Sequence, residues 1–114
     1  MQEPTVLILS ALADGRKHGY ALIAAAEDMS DGRVKLKVST LYAALDRLAK
    51  EGLVVRAGEE VADGRLRRYY DLTGEGRAAL EEEVSRMQAL ARQASVRLKL
   101  RPLTFGGFAT LGNS

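Results

Sequence analysis

Leu41, Leu45 and Leu48 recur at i, i+4 and i+7 between Val38 and Lys50 and, with Ala44, draw one apolar stripe down a helix. The opposite face carries Ser39, Ala43, Asp46, Arg47 and Lys50, with Tyr42 on its flank. Ser39 is the expected N-cap, because its hydroxyl can accept from an unpaired amide of the first turn. Gly52, after Glu51, is the expected stop. A helix held by leucines that turns small, hydroxylic and basic side chains outward suits entry into a major groove. It equally suits an ordinary surface helix, so the flanking elements have to decide.

Upstream, Pro4 fits a first helical turn, and Val6, Leu7, Leu9, Ala11 and Leu12 make a helix apolar over more than one face, ending near Asp14-Gly15. Such a helix must be covered on several sides, by its own domain or partly by another subunit. Arg16-Lys17-His18-Gly19 reads as a turn into a second helix, Tyr20 to about Met29, whose inner face is Leu22, Ile23, Ala26 and Met29. Gly19 would let that helix approach a neighbour or a phosphate closely, and His18 and Tyr20 can donate to a phosphate oxygen. Ser30-Asp31-Gly32 is a turn. Val34 to Val38 then alternates apolar and basic, a short extended segment that delivers Lys35 and Lys37 beside the start of the Ser39 helix, where the helix dipole favours anions. For each lysine alone, a solvated edge strand is the plainer reading.

Downstream, Leu53 to Arg56 is a strand by composition, a polar turn runs from Gly58 to Gly64, and Arg65 to Leu72 is a second strand. Three helices followed by a hairpin with a basic returning strand is the order of a winged helix-turn-helix. The hairpin, Gly58 to Arg68, is the wing, and Arg65, Arg67 and Arg68 are candidates to reach phosphates or the minor groove. Arg68 shares strand parity with Leu66, Tyr70 and Leu72, so it either points inward or pairs with an acid. Thr73 can cap a last helix, weakly opened by Gly74-Glu75-Gly76. Along it Leu80, Val84, Met87, Ala91, Ala94 and Leu98 step by four and three in turn, a heptad seam in a helix of roughly 25 residues. No further element is left to cover that seam. It therefore implies a partner helix and a homodimer, with packing back on the Pro4 helix as the alternative. Pro102 ends the helix, and in the uncharged tail Phe105, Phe108 and Leu111 either dock or stay free.

Composition adds mostly exclusions. With 46% hydrophobic and 28% charged residues in 114, the chain is one domain's worth with a small core that self-association would help. No apolar run approaches the roughly 18 residues of a membrane span, and the start M-Q-E-P-T lacks the pattern of a signal peptide, so a cytoplasmic protein is expected. Zero cysteines and one histidine leave no disulfide framework, no thiolate metal site and no two-His motif. There is no phosphate-binding loop and no nucleophile with a base, so no catalytic residue, metal or cofactor is expected. A net charge of +2 permits polyanion binding without demanding it. Placement says more: from Arg33 to Leu72 nine Lys and Arg face six acids, a net +3, clustered before the Ser39 helix and at Arg65 to Arg68.

Three stretches, H-G-Y-A-L-I at His18 to Ile23, S-T-L-Y-A-A-L-D-R-L-A-K-E-G-L-V at Ser39 to Val54 and G-R-L-R-R-Y-Y-D-L-T-G-E-G at Gly64 to Gly76, resemble in order and spacing the PadR family of bacterial transcriptional regulators. Ala43 stands where many members have proline, a change that favours helix. The resemblance covers roughly Val6 to Leu98 and implies the short type with a single C-terminal dimerisation helix. It further implies a homodimeric repressor on double-stranded DNA that leaves its operator when a small molecule, often aromatic, binds. Carried onto this chain, it implies DNA contacts from Ser39, Thr40, Tyr42 and Lys50, with phosphate contacts from Tyr20, Arg65 and Arg67; Lys37, read from the basic lead into the helix, joins them as a candidate DNA-binding residue.

The expected fold class is thus mainly α with a small β-hairpin. A winged helix-turn-helix domain over 1–73 precedes a dimerisation helix over 74–101 and a tail over 102–114. The expected function is that of a dimeric regulator on a pseudo-palindromic operator, its half-sites about one helical turn apart. The alternative is a winged-helix module that docks proteins without nucleic acid.

Overall fold

The structure, a computed structural model, describes residues 1–99. The sequence-based expectations for the 102–114 tail lie outside them. The chain divides into two units, Met1–Glu83 and a second that begins at Val84. Each is described by itself. The boundary falls inside the last helix rather than at its start, because Gly76, Leu80 and Glu83 of that helix are buried in the first unit.

The first unit opens on α1 (Glu3–Leu12), with Pro4 in its first turn. Its apolar residues occupy several faces and are covered on all of them: Leu7, Ile8, Leu9, Ala11 and Leu12 are buried. Two residues, Lys17–His18, form β1 before α2 (Gly19–Met29). In α2, Leu22 and Ala26 are fully buried, whereas Met29, expected on the same face, is 45% exposed in the last turn. α3 (Val38–Lys50) packs Leu41, Leu45 and Leu48 at zero exposure into the centre of the core beside Ile8, Leu9, Leu12 and Leu22. Each such side chain contributes roughly 1.5–3 kcal/mol of burial, so α3 is fixed by three of them on one stripe.

α3 begins two residues earlier than its hydroxyl suggested. Lys37 is the N-cap, extended at φ −80° and ψ 152°, and no side chain caps the helix; its carbonyl accepts from the Leu41 amide at 2.9 Å. Ser39 therefore lies inside the first turn. The stop is as expected: Gly52 takes φ 78°, its amide donates to Ala49 and the Leu53 amide to Leu48, the paired bonds of a glycine-ended helix.

The alternating segment from Val34 to Lys37 pairs with no strand among the described residues; it is an irregular lead into α3. β-structure lies elsewhere. β2 (Val54–Ala62) and β3 (Arg65–Leu72) form an antiparallel hairpin, and β1 adds to the other side of β3, giving the order β1-β3-β2. Lys17 sits opposite Tyr70 and His18 opposite Tyr69. The hairpin turn is only Asp63-Gly64, at φ 52° and 75°, the two left-handed positions of a tight turn for which Asp-Gly is suited. Gly58, expected to begin the turn, sits at φ 106° where the register shifts between Arg56 and Glu59. It is a bulge, and β2 continues beyond it. Val54 and Tyr70 close the core from the sheet.

α4 (Gly74–Leu98) starts where expected. The Thr73 hydroxyl accepts from the Gly76 amide at 2.9 Å and donates to the Gly52 carbonyl at 2.6 Å. Gly76 has a packing reason that propensity does not reveal: a Cβ there would stand 2.0 Å from the Leu53 carbonyl oxygen. Arg77 donates to the Ala13 carbonyl at 2.9 Å, and Leu80 belongs to the core. In the second unit, the stretch of α4 from Val84 onward exposes its apolar residues: Val84 by 39%, Met87 by 47% and Leu98 by 67%. α4 ends at Leu98, with Lys99 at φ 59°.

Candidate nucleic-acid interface

With its leucine stripe consumed by the core, α3 presents Ser39, Ala43, Asp46 and Lys50 outward, spaced by four, three and four along one strip, and all four are exposed. Thr40 is exposed on one flank of the strip, on the side where Arg47 reaches the Thr5 hydroxyl at 3.0 Å. Tyr42 lies on the other flank and is half-buried. Its hydroxyl meets the backbone at Gly19, where a Cβ would be 2.5 Å away, and its ring tilts against Tyr70 at 6.4 Å. Gly19 thus permits a close approach, and the neighbour it admits is Tyr42.

A cleft of about 400 Å³ separates the start of α2, the first turn of α3 and the start of β3. Tyr20, Val38, Tyr42, Arg65 and Arg67 are among the residues that line it. Four of the eight predicted contact residues therefore meet at one place. Lys37, Ser39 and Thr40 are exposed at the N-terminal end of α3. Lys50 does not join them, since eleven helical steps from Ser39 place it roughly 16 Å further along the axis.

The basic side chains sort by whether an acid already holds them. Arg33 makes a forked pair with Glu3, at 2.8 and 2.5 Å, which lowers the Glu3 carboxyl below its usual range and raises the Arg33 guanidinium. Arg47 pairs with Glu51 at 3.5 Å, and Arg68 with Glu59 at 3.6 Å. Arg68 is thus the wing arginine that pairs with an acid rather than pointing inward. Among the described residues, Lys37, Lys50, Arg65 and Arg67 make no ion pair, and neither do Lys35 and Arg56. A polyanion would meet cations that it does not have to separate from carboxylates first.

Two residues gain roles that spacing did not suggest. His18 caps α2, its Nδ1 accepting from the Ala21 amide at 3.4 Å, while its ring stands edge-on to Tyr69. The Tyr69 hydroxyl donates to Glu60, which holds its proton above the ordinary phenol range; burial adds to this, and nearby Arg16 and Arg67 oppose it. Arg16 lies over the Tyr69 ring, 4.3 Å from its centre. A two-residue strand has no periodicity to read, and the partner that gives Arg16 its place is distant in sequence.

Residues 8–82 match the model of the transcriptional regulator PadR-like family. This chain belongs to that family. The PadR-like chain is 40% identical over 86 residues to a transcriptional regulator of Mycobacterium tuberculosis, covering 75% of this chain and 77% of that one. It also resembles the crystal structure of a PadR family transcriptional regulator from Eggerthella lenta, with a TM-score of 0.66 and 27% identity, covering 85% and 82% of the two chains. The structure of Bacillus subtilis PadR in complex with operator DNA shares the fold, with a TM-score of 0.63 at 21% identity and coverage of 73% and 47%. The PadR-like fold thus accounts for the three helices, the hairpin and the long last helix together, and its family is one of transcriptional regulators rather than enzymes.

Proposed function

We propose that this PadR-like regulator binds double-stranded DNA as a homodimer and represses transcription from a pseudo-palindromic operator. The observation that carries this is the exposed strip of α3, anchored by three fully buried leucines, beside cations with no acidic partner among the described residues. α3 would enter the major groove with Ser39, Thr40 and Tyr42 near its leading end. Tyr20 would donate to a phosphate beside the cleft, Lys37, Arg65 and Arg67 would neutralise phosphates around it, and Lys50 would do so at the far end of α3. The complex of Bacillus subtilis PadR with operator DNA is consistent with such use of the fold.

The exposed seam of α4 supports the dimer. Val84, Met87, Ala91, Ala94 and Leu98 would meet the same residues of a second copy, with the exposed Leu90 and Val96 beside them. Leu80, the first residue of that seam, is only 8% exposed and contributes to its own chain's core instead. Release by a small-molecule effector is part of the same proposal.

The test is to titrate the protein onto fragments of the DNA upstream of its own gene at two salt concentrations, with random DNA as control. Tight binding to one fragment, falling steeply with salt as counterions are released, is the expected result. Equal, weak binding to every fragment would contradict it and would favour a winged helix that docks proteins.

A further inference from the structure

We infer that Arg16, a residue of the loop before α2, is a positioning residue that sets the direction of the distal wing and acts on DNA only through Arg65 and Arg67. The inference rests on the DNA-binding proposal above. Beyond the bulge at Gly58 the hairpin pairs only with itself among the described residues, Glu59 with Arg68 through to Ala62 with Arg65, and carries both wing arginines. Val61 and Leu66 of that stretch, opposite each other in the ladder, are exposed. A bulge bends and twists a ribbon, so the direction of everything beyond it is set there.

Arg16 reaches that point from another part of the chain. Its Nη1 donates to the Ala57 carbonyl at 2.6 Å, inside the register shift. The same guanidinium lies over Tyr69 on β3, so it bridges both strands across the bulge. The fit is close, because a Cβ at Gly58 would come within 3.0 Å of Nη1. On β3, Tyr69 is braced by the His18 ring and tied through its hydroxyl to Glu60 on β2. Arg16 has no acidic partner among the described residues, and its planar fork is used on a carbonyl and a ring.

The test uses the whole protein, with Arg16→Met to remove the clamp and Gly58→Ala to displace it while keeping the charge. In the free protein, backbone amide NMR should show Asp63 and Gly64 shifted and more mobile in both variants, with the α3 amides unchanged. On the fragment bound in the titration above, both should weaken binding roughly tenfold, the worth of about one charge-assisted contact. The dependence of log K on log salt should fall by about 1 to 2, as phosphate contacts are lost; a loss of folded protein alone would leave that slope unchanged. Arg16→Lys, which can still donate to Ala57, should recover part of the affinity. In an Arg65→Ala, Arg67→Ala background, Arg16→Met should cost nothing further.

Wing amides that ignore Arg16→Met would overturn the clamp. A full loss in the background lacking the wing arginines would make Arg16 a direct phosphate contact and overturn the positioning role. Looser wing amides with unchanged affinity would overturn it as well. A parent protein that binds no DNA, yet whose wing responds to Arg16→Met, would sink the DNA-binding proposal while leaving the clamp standing.

Discussion

Gly74 and Gly76 stand two residues apart at the start of α4, and alanine should act on them with opposite sign. At Gly76 a Cβ would lie 2.0 Å from the Leu53 carbonyl oxygen, 2.9 Å from its carbon and 2.9 Å from Leu72 Cδ1. The obstruction is mostly backbone, so α4 or the chain leaving α3 has to move. Overpacking of this kind costs typically about 1–3 kcal/mol, against at most about 1 kcal/mol gained from replacing glycine in a helix. At Gly74 nothing lies within 4 Å of the same atom, so only the gain remains, about 0.4–1 kcal/mol. Thermal unfolding followed by circular dichroism, at one fixed protein concentration because a dimer's stability depends on it, should separate the two. At about 4–8 °C per kcal/mol for a domain of this size, Gly76→Ala should melt several degrees below the parent and Gly74→Ala a few degrees above it. If Gly76→Ala melted at or above the parent, the close approach of α4 to Leu53 would be wrong.

Three further outcomes are expected. Met87→Glu combined with Leu98→Glu should yield a folded monomer in sedimentation velocity, with helix content unchanged and DNA affinity reduced; a dimer that persists would place the subunit contact elsewhere. Asp46→Asn removes a carboxylate from the middle of the exposed strip of α3 and should tighten binding to all DNA sequences by anisotropy titration; weaker or unchanged binding would turn that strip away from phosphates. The forked pair with Arg33 depresses the Glu3 carboxyl, so its small contribution to stability is present above the ordinary carboxylate range and is lost as pH falls through the lowered value. Glu3→Gln should therefore lower the urea midpoint slightly at pH 7 and make no difference in strong acid.

What could be read from the residues was whatever repeats. Leu41, Leu45 and Leu48 mark α3 because burial on one side of a helix imposes a period, and the four-three steps from Val84 to Leu98 mark α4 as a helix by their spacing. Asp63-Gly64 carries its own turn chemistry, yet Gly58 looked equally like a turn; a positive φ serves a bulge as well, and only the strand opposite decides between them. Lys17–His18 was missed because a two-residue strand exists only by virtue of β3, which lies some fifty residues further along the chain. The predicted contact residues were right about exposure for Ser39, Thr40 and Lys50. Tyr42 shows the limit of spacing: its position on the helix puts it on the flank, but its half-burial follows from the missing side chain at Gly19.

Thr73 carries a consequence for how the two helix ends it joins would fail. One hydroxyl holds the carbonyl that ends the stop of α3 and the amide that opens α4, while the Leu53 carbonyl fills the notch at Gly76. The end of α3 and the first turn of α4 therefore share one fastening. Loss of that single oxygen would fray both helix ends together, where two separate caps would fail one at a time.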